Sequence, residues 1–270
     1  MNYQEFITKI LTPTEDSIYL INSLGKKEQD YWNLSSLWKC YHELGWYHYL
    51  FEKDINKAKQ CFFLCGNFEI LSNKMYCHIN NDGNISPYNM KIDRLWHLGE
   101  VLLTDNQRLI KRRLTLIYPE REDYIYKTVY IQVIINELIK SFIEGTPEKC
   151  DVLFPQMEKG YKAKQFSFEW DIMFFEGLAE KNEDKMQKAI EAIASTKVHQ
   201  KRQKFDYKTM YGDWENSIMS YYGILYTKLA WILGFELEIN SPLVSIAKDL
   251  FPVEPLEKYD ITYDFLEGLI

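Results

Sequence analysis

Apolar residues recur with the spacing of an α-helix along almost the whole of this 270-residue chain. A recurrence of three to four residues places apolar side chains on one face of a helix, and helices of this kind bury that face against one another. Glycine is scarce, with 12 in the whole chain, and no low-complexity linker separates one half from the other. We therefore predict an all-α protein with a single domain over residues 1–270, with possible seams only at 146–147 and 198–208.

A pair of adjacent helices is the clearest local pattern, and it lies between residues 30 and 68. The first apolar-periodic segment contains Gly45 and is followed by a polar turn and a second periodic segment. The pattern is similar to a tetratricopeptide repeat, in which a small residue lets two antiparallel helices approach closely. A weaker copy begins at Phe166 and contains Gly177. The sequence thus predicts antiparallel helical hairpins in a tetratricopeptide-like array.

Periodicity and capping residues predict four further helices, at 90–103, 106–118, 123–144 and 213–234. Asp123 is placed to cap the third of these, and Gly145 follows its end. Gly234 occupies the position at which a helix often ends in a left-handed conformation.

The segment after Gly234 is a proline-punctuated strap. Pro242, Pro252 and Pro255 interrupt any helix, and apolar residues between them can anchor the segment. We predict that Leu250, Phe251, Leu256, Tyr263 and Phe265 pack the strap back against the helical body, with the 213–234 helix as the favoured surface.

This tail, with the apolar run K-L-A-W-I-L-G-F (228–235) ahead of the strap, resembles the C-terminal end of bacterial polymorphic-toxin immunity proteins. It is most similar to immunity protein family 49 and, more distantly, to the PoNe-immunity group. The resemblance covers the last quarter of the chain. It implies a protein that binds and neutralises one cognate secreted toxin, without catalysis and without a cofactor.

The charge balance limits the classes of partner. The formal net charge is −7 and the sequence pI is about 5.4, which argues against nucleic-acid binding and suits a basic protein partner such as a nuclease toxin. No segment has the run of apolar residues that a membrane span needs, and the N-terminus does not read as a signal peptide. Five irregularly spaced cysteines indicate free thiols in a reducing compartment, so we expect a cytoplasmic protein.

Catalytic motifs are missing from the sequence: it contains no H-E-x-x-H, P-loop, G-x-S-x-G or G-x-G-x-x-G. We therefore predict that the protein is not an enzyme and holds no metal. Two alternatives were weighed against this. Cys61 and Cys65 could join His42 and His48 in a zinc site, but both cysteines fall at packing positions of the hairpin. The pair Glu176 and Glu180 could act in hydrolysis, but a solvated acidic helix face is the simpler interpretation.

Two basic clusters could contact nucleic acid in principle. They comprise Arg108, Lys111, Arg112 and Arg113 in one helix, and Lys201, Arg202 and Lys204 further along. In an acidic protein, a solvated face or ion pairs within the chain are the favoured interpretations.

Aromatic residues flanked by carboxylates are the best candidates for contact with a basic partner, because aromatic area and opposite charge both favour binding. The candidates are Glu169, Trp170, Asp171, Asp213, Trp214 and Glu215. Either tryptophan could instead belong to the core. The alternative function is a tetratricopeptide-like adaptor or regulator that binds a peptide, and a helical enzyme with a scattered site is a third.

Overall fold

The computed structural model describes residues 16–25, 31–79, 95–116, 127–160, 168–202 and 217–267. These residues are mostly helical and include no strand, so the predicted all-α fold is confirmed. The α-helices are α1 (16–24), α2 (Tyr31–Tyr47), α3 (Ile55–Ile79), α4 (Leu95–Leu103), α5 (Gln107–Leu114), α6 (Lys127–Glu144), α7 (Cys150–Gly160), α8 (Glu169–Glu180), α9 (Glu183–Ile193), α10 (Thr196–Arg202), α11 (Tyr221–Ile232) and the single turn α12 (Pro242–Ser245). No helix in these ranges is long and apolar enough to cross a membrane.

The chain divides into two compact units that alternate along the sequence. The first unit contains the described residues up to 79, residues 100–116 and the tail from Glu254, and the second contains residues 95–99 and those from 127 to Val253. Neither predicted seam coincides with a boundary between the units. Residues 146–147 lie inside the second unit, residues 198–202 belong to α10, and residues 203–208 lie outside the described residues. That residues 1–270 form a single domain stays a prediction.

Helices α2 and α3 form the first predicted hairpin, in the first unit. A Cβ atom added at Gly45 would lie 2.6 Å from the ring of Phe62, so the glycine permits a close crossing. Further from the turn, the Cys65 thiol lies 3.5 Å from the carbonyl oxygen of Trp38. Because residues later in α3 meet residues earlier in α2, the two helices are antiparallel. Lys53 closes the connection in a left-handed conformation with φ of 56°.

Helices α8 and α9 form the second predicted hairpin, in the second unit. A Cβ atom added at Gly177 would lie 2.8 Å from the Met186 side chain. Lys181 ends α8 in a left-handed conformation, and the Asn182 side chain caps α9 by accepting a hydrogen bond from the Lys185 amide at 3.0 Å. Both glycines that the sequence singled out therefore lie at helix crossings. A regular tetratricopeptide array beyond these pairs stays a prediction.

The last long helix is shorter than predicted. It begins at Tyr221 because the Ser220 side chain caps it, accepting from the Gly223 amide at 3.3 Å, and it ends at Ile232 with Gly234 at φ of +90°. The C-terminal half of the 213–234 prediction is confirmed; Ser217 and Ile218 are also helical, and Met219 and Ser220 interrupt the predicted helix. Residues 213–216 lie outside the described residues.

Four of the described α-helices were not predicted: α1, the single turn α12, and two in the middle of the chain. One is α7, which continues through an internal proline, Pro155. The other is α10, which falls in a segment that sequence analysis treated as a seam. α10 has only 7 residues, and an internal proline such as Pro155 normally signals the end of a helix, so neither helix has a clear sequence signal.

The first half of the strap packs on α11, as predicted. Leu250 and Phe251 are buried. The Nζ atom of Lys228, which is fully buried in α11, donates to the carbonyl oxygens of Leu250, Phe251 and Pro252 at 2.9, 3.1 and 3.1 Å. One lysine thus fixes three consecutive residues of the strap to the helix.

The second half of the strap also packs on helices, as predicted, but on α2 and α3 and not on the 213–234 helix that was favoured. In the first unit, the ring of Tyr263 lies 5.7 Å from that of Phe68, and its hydroxyl lies 2.9 Å from the Tyr41 hydroxyl. Phe265 stacks on Tyr263 at 4.9 Å. An apolar anchor in the sequence indicates burial but does not say which helix it meets, and α2 and α3 offer a matching aromatic surface.

Candidate partner-binding site

The first predicted cluster lies at the start of α8, but its three side chains do not share one surface. Glu169 is exposed and Trp170 is half-buried, whereas Asp171 is completely buried. Asp171 is therefore not available to a partner, and its inclusion among the contact residues is corrected. The second cluster, Asp213, Trp214 and Glu215, lies outside the described residues.

Asp171 belongs to a buried network in the second unit. Its carboxylate accepts hydrogen bonds from both terminal nitrogens of Arg202 and, at 2.5 Å, from the Tyr226 hydroxyl. The Arg202 guanidinium also stacks over the rings of Phe168 and Tyr222, at 5.4 and 4.8 Å from their centroids. Asp171 thereby ties α8 to α10 and α11.

Burial and ion pairing shift the pKa of Arg202 in opposite directions. Burial disfavours the charged guanidinium, but the adjacent Asp171 carboxylate more than offsets it and holds the pKa of Arg202 above its usual value. A charge pair of this kind is stable only while both partners and their hydrogen bonds are present. The network is therefore structural, and it holds the exposed side of α8 in a fixed orientation.

The position of Asp171 could have been found from spacing. Phe174, Phe175 and Leu178 are all buried and lie three, four and seven residues after it, so Asp171 begins the core-facing stripe of α8. Grouping Asp171 with Trp170 placed it on the solvent-facing side of the helix, which is the opposite side.

The solvent side of α8 continues into the start of α9 as an acidic edge. We define the acidic edge as Glu169, Glu176, Glu180, Glu183 and Asp184. Glu169, Glu176 and Glu180 are spaced by seven and four residues and so lie on one helix face. Lys185 contacts two of these carboxylates, Glu176 at 2.8 Å and Glu180 at 2.9 Å, which leaves the edge with an excess of negative charge.

Catalysis by Glu176 and Glu180 does not fit their surroundings. Their side chains are 41% and 54% exposed, and both are within reach of the same lysine. A carboxyl group that acts as a general acid needs burial or a like-charged neighbour to hold its proton near neutral pH. The pair is better suited to binding than to chemistry.

The four side chains of the alternative zinc site do not converge. Cys61 and Cys65 are buried in α3, and burial raises the pKa of the Cys61 thiol to about 12. His42 hydrogen-bonds the buried carboxylate of Glu100, and His48 contacts a carboxylate one turn along its own segment. Within the described ranges, no group of three or more His, Cys, Asp or Glu side chains is placed to hold a metal ion.

Some side chains of the two basic clusters form ion pairs within the fold. Arg113 is buried and pairs with Glu69 at 2.6 Å, and Arg202 pairs with Asp171, so the ion-pair interpretation is confirmed for these two. Lys204 lies outside the described residues, while Lys111 is exposed.

The arrangement on α8 therefore offers a binding surface: carboxylates at solvent, a half-buried tryptophan beside them, and a rigid anchor beneath. Nothing in this surface supplies a nucleophile with an adjacent base, as a covalent mechanism would require. Comparisons of the chain with models of protein families, with curated proteins and with solved structures find no match.

Proposed function

We propose that this chain is an immunity protein that binds one cognate secreted bacterial toxin and neutralises it by occlusion, without chemistry of its own. The observation that carries the proposal is the acidic edge of α8 and α9 beside the half-buried Trp170. The similarity of the tail to toxin immunity proteins supports it. The protein acts in the cytoplasm of the cell that makes the toxin, before the toxin reaches its target.

Charge is the first part of the mechanism. The chain has a formal net charge of −7, and the acidic edge concentrates five carboxylates within 16 residues, from Glu169 to Asp184. A basic toxin, such as a nuclease that must approach a phosphate backbone, presents the opposite charge. Exposed charges of this kind mainly raise the association rate and favour the correct partner.

Rigidity is the second part. The Asp171 network fixes α8 from beneath, so the exposed side chains are presented on a helix that is already ordered. A preformed surface loses less conformational entropy when it binds. Trp170 supplies apolar area next to Glu169, and tryptophan is among the residues that most often act as interface hot spots.

Co-expression tests the proposal directly. Immunity genes lie beside the gene of their toxin, so the protein encoded immediately upstream is the first one to express. We expect it to stop growth when expressed alone and to be harmless when expressed together with this chain. A harmless upstream product, or one whose toxicity this chain does not relieve, would contradict the proposal.

Charge reversal then tests the surface. We expect Glu169→Lys combined with Glu183→Lys to weaken protection and to slow association, with the largest difference from wild type at low salt. Glu144→Lys combined with Glu148→Lys is the matched control, because both residues are exposed carboxylates outside α8 and α9 and the change in net charge is the same. Equal protection by the double variant and the control would remove the acidic edge from the interface.

A further inference from the structure

A cleft opens in the first unit where the strap crosses the start of α5. Its volume is about 490 Å³, which lies within the usual range for small-molecule sites. It is lined by Phe63, by residues 105–109 and Arg112, and by residues 255–259 of the strap. The cleft is separate from the acidic edge of α8, which belongs to the second unit.

One wall of the cleft is apolar and held in place. The rings of Phe63 and Tyr259 stack with centroids 4.7 Å apart and an angle of 30° between their planes. The Tyr259 hydroxyl donates to the carbonyl oxygen of Thr104 and accepts from the Leu256 amide at 3.3 Å. Because its hydroxyl is engaged at the backbone, Tyr259 is fixed, and Leu109 and Leu256 extend the apolar lining.

Two arginines supply positive charge to the same cleft. Arg108 and Arg112 lie one turn apart on α5, and both line the cavity. The Nη2 atom of Arg112 is buried and has no hydrogen-bond acceptor among the described residues. Burial lowers the pKa of Arg112, and the charge of Arg108 lowers it further, so the two guanidinium groups repel each other. An anion between them would relieve the repulsion and could accept a hydrogen bond from the Nη2 group of Arg112.

Among the described residues, the remaining charges around the cleft cancel this pair only in part. Asp105 is buried and is neutralised by Lys59 at 2.7 Å, while it also accepts from the Glu254 amide at 3.2 Å. Lys258 is exposed and pairs with Asp260 at 2.9 Å. Glu257 is an exposed carboxylate at the rim, and it opposes an incoming anion.

We propose that this cleft binds a small molecule in which an oxyanion, a carboxylate or a phosphate, is attached to a flat apolar group. Arg108 and Arg112 take the oxyanion, in the planar two-pronged manner that guanidinium groups favour. The apolar group lies against the wall formed by Phe63, Tyr259 and Leu256. This activity is additional to the proposed binding of a toxin and does not depend on it.

Four simple probes test the proposal by titration followed with protein NMR. Phenyl phosphate and benzoate carry the two oxyanions on a flat ring, inorganic phosphate lacks the ring, and benzamide has the shape of benzoate without its charge. We expect at least one of the two ring-bearing anions to bind, more tightly than inorganic phosphate, and benzamide not to bind. The stronger of the two anions identifies the type of oxyanion. Absence of binding by both, or binding of benzamide as tight as that of benzoate, would overturn the proposal.

Variants of the full-length protein assign the binding to the arginines. Arg108→Gln with Arg112→Gln should weaken binding by about tenfold or more, since two charge-assisted hydrogen bonds are lost. Lys111→Gln is the matched control, because Lys111 is exposed on the same helix and does not line the cleft. Removal of the opposing carboxylate in Glu257→Gln should tighten binding.

A circular dichroism melt of each variant reports on folding. If the arginine variant is destabilised, the Glu257→Gln protein still decides the question, with Lys111→Gln as its control. Equal affinity of the folded arginine variant and wild type, or no tightening in Glu257→Gln, would place the anion elsewhere.

Discussion

At the scale of single residues, the fold depends on buried charges that are paired within the chain. Asp171 with Arg202, Lys59 with Asp105, and Lys228 with the strap carbonyls are all shielded from solvent. Taking such groups out of water is expensive unless each finds a partner. Replacing one partner of a buried pair is therefore expected to lower the free energy of unfolding more than replacing an exposed charge on the same helix does.

Asp171→Asn should be strongly destabilising. The substitution removes the carboxylate charge that faces the buried Arg202, and breaking a buried pair in this way costs about 3–5 kcal/mol. Urea denaturation would measure the change in the free energy of unfolding. Glu169→Gln is the control on the same helix and should change it by less than about 0.5 kcal/mol. Similar stability of the two variants would show that the network does not hold α8.

The buried thiols should be unreactive in the folded protein. Burial raises the pKa of Cys40 to about 11 and that of Cys61 to about 12, so at pH 8 each has less of the reactive thiolate than an unfolded cysteine. We expect iodoacetamide to modify them at pH 8 only after urea is added, as peptide mass spectrometry would show. Rapid modification of Cys61 in the native protein would contradict its burial.

These thiols also make stability depend on pH. The unfolded thiols ionise near pH 9, whereas the folded ones keep their protons to a higher pH, so the folded state binds more protons above pH 9. Their contribution is fully present below pH 9 and is lost as the pH rises towards the folded values. The free energy of unfolding should therefore fall between pH 9 and 11, and replacing Cys40 and Cys61 with alanine should make that fall smaller.

At the scale of elements, the hairpins were the most predictable feature. Their helical period, their polar turns and the glycines at their crossings are local properties, and local patterns can be read from sequence. The partners of buried charges are not local: Asp171 meets Arg202 31 residues later, and Lys59 meets Glu254 across 195 residues. Spacing on α8 signals that Asp171 faces the core, but only the folded chain shows what neutralises it.

The close crossing of α2 and α3 at Gly45 can be tested with two glycine-to-alanine variants. In Gly45→Ala, the new Cβ would lie 2.6 Å from the ring of Phe62, which is fully buried, so we expect a loss of about 1–3 kcal/mol by overpacking. In Gly99→Ala, inside α4, the nearest atom would be 3.6 Å away, and the gain in helix propensity should leave stability unchanged or raised by up to about 1 kcal/mol. Equal melting temperatures of the two variants would contradict the close crossing of α2 and α3.

The attachment of the strap to α11 depends on one lysine, Lys228. Lys228→Met keeps the length of the side chain but leaves three carbonyl groups without their donor, and we expect a loss of about 2–4 kcal/mol together with faster proteolysis near residues 250–252. Lys248→Met is the control, because Lys248 is exposed in the same segment. If the protease cleaves both variants at the same rate, the lysine does not anchor the strap.

At the scale of the whole molecule, an acidic all-α chain carries an acidic edge on its second unit and a basic cleft in its first. Composition indicated the acidic balance, and the tail suggested the family that it resembles. The cleft could not be foreseen, because Arg112 and the strap come together only in the fold. We propose different tasks for the two surfaces: the acidic edge binds a basic toxin, and the cleft binds a small anion.

We propose that the protein neutralises its partner by binding and not by chemistry. A titration of the purified upstream-encoded toxin with this chain, in which the residual toxin activity is measured, tests this mechanism. We expect activity to fall in proportion to added protein and to reach zero at a fixed molar ratio, with the mass of the toxin unchanged. Full inhibition by a small fraction of that amount, or a toxin that remains active at excess, would contradict it.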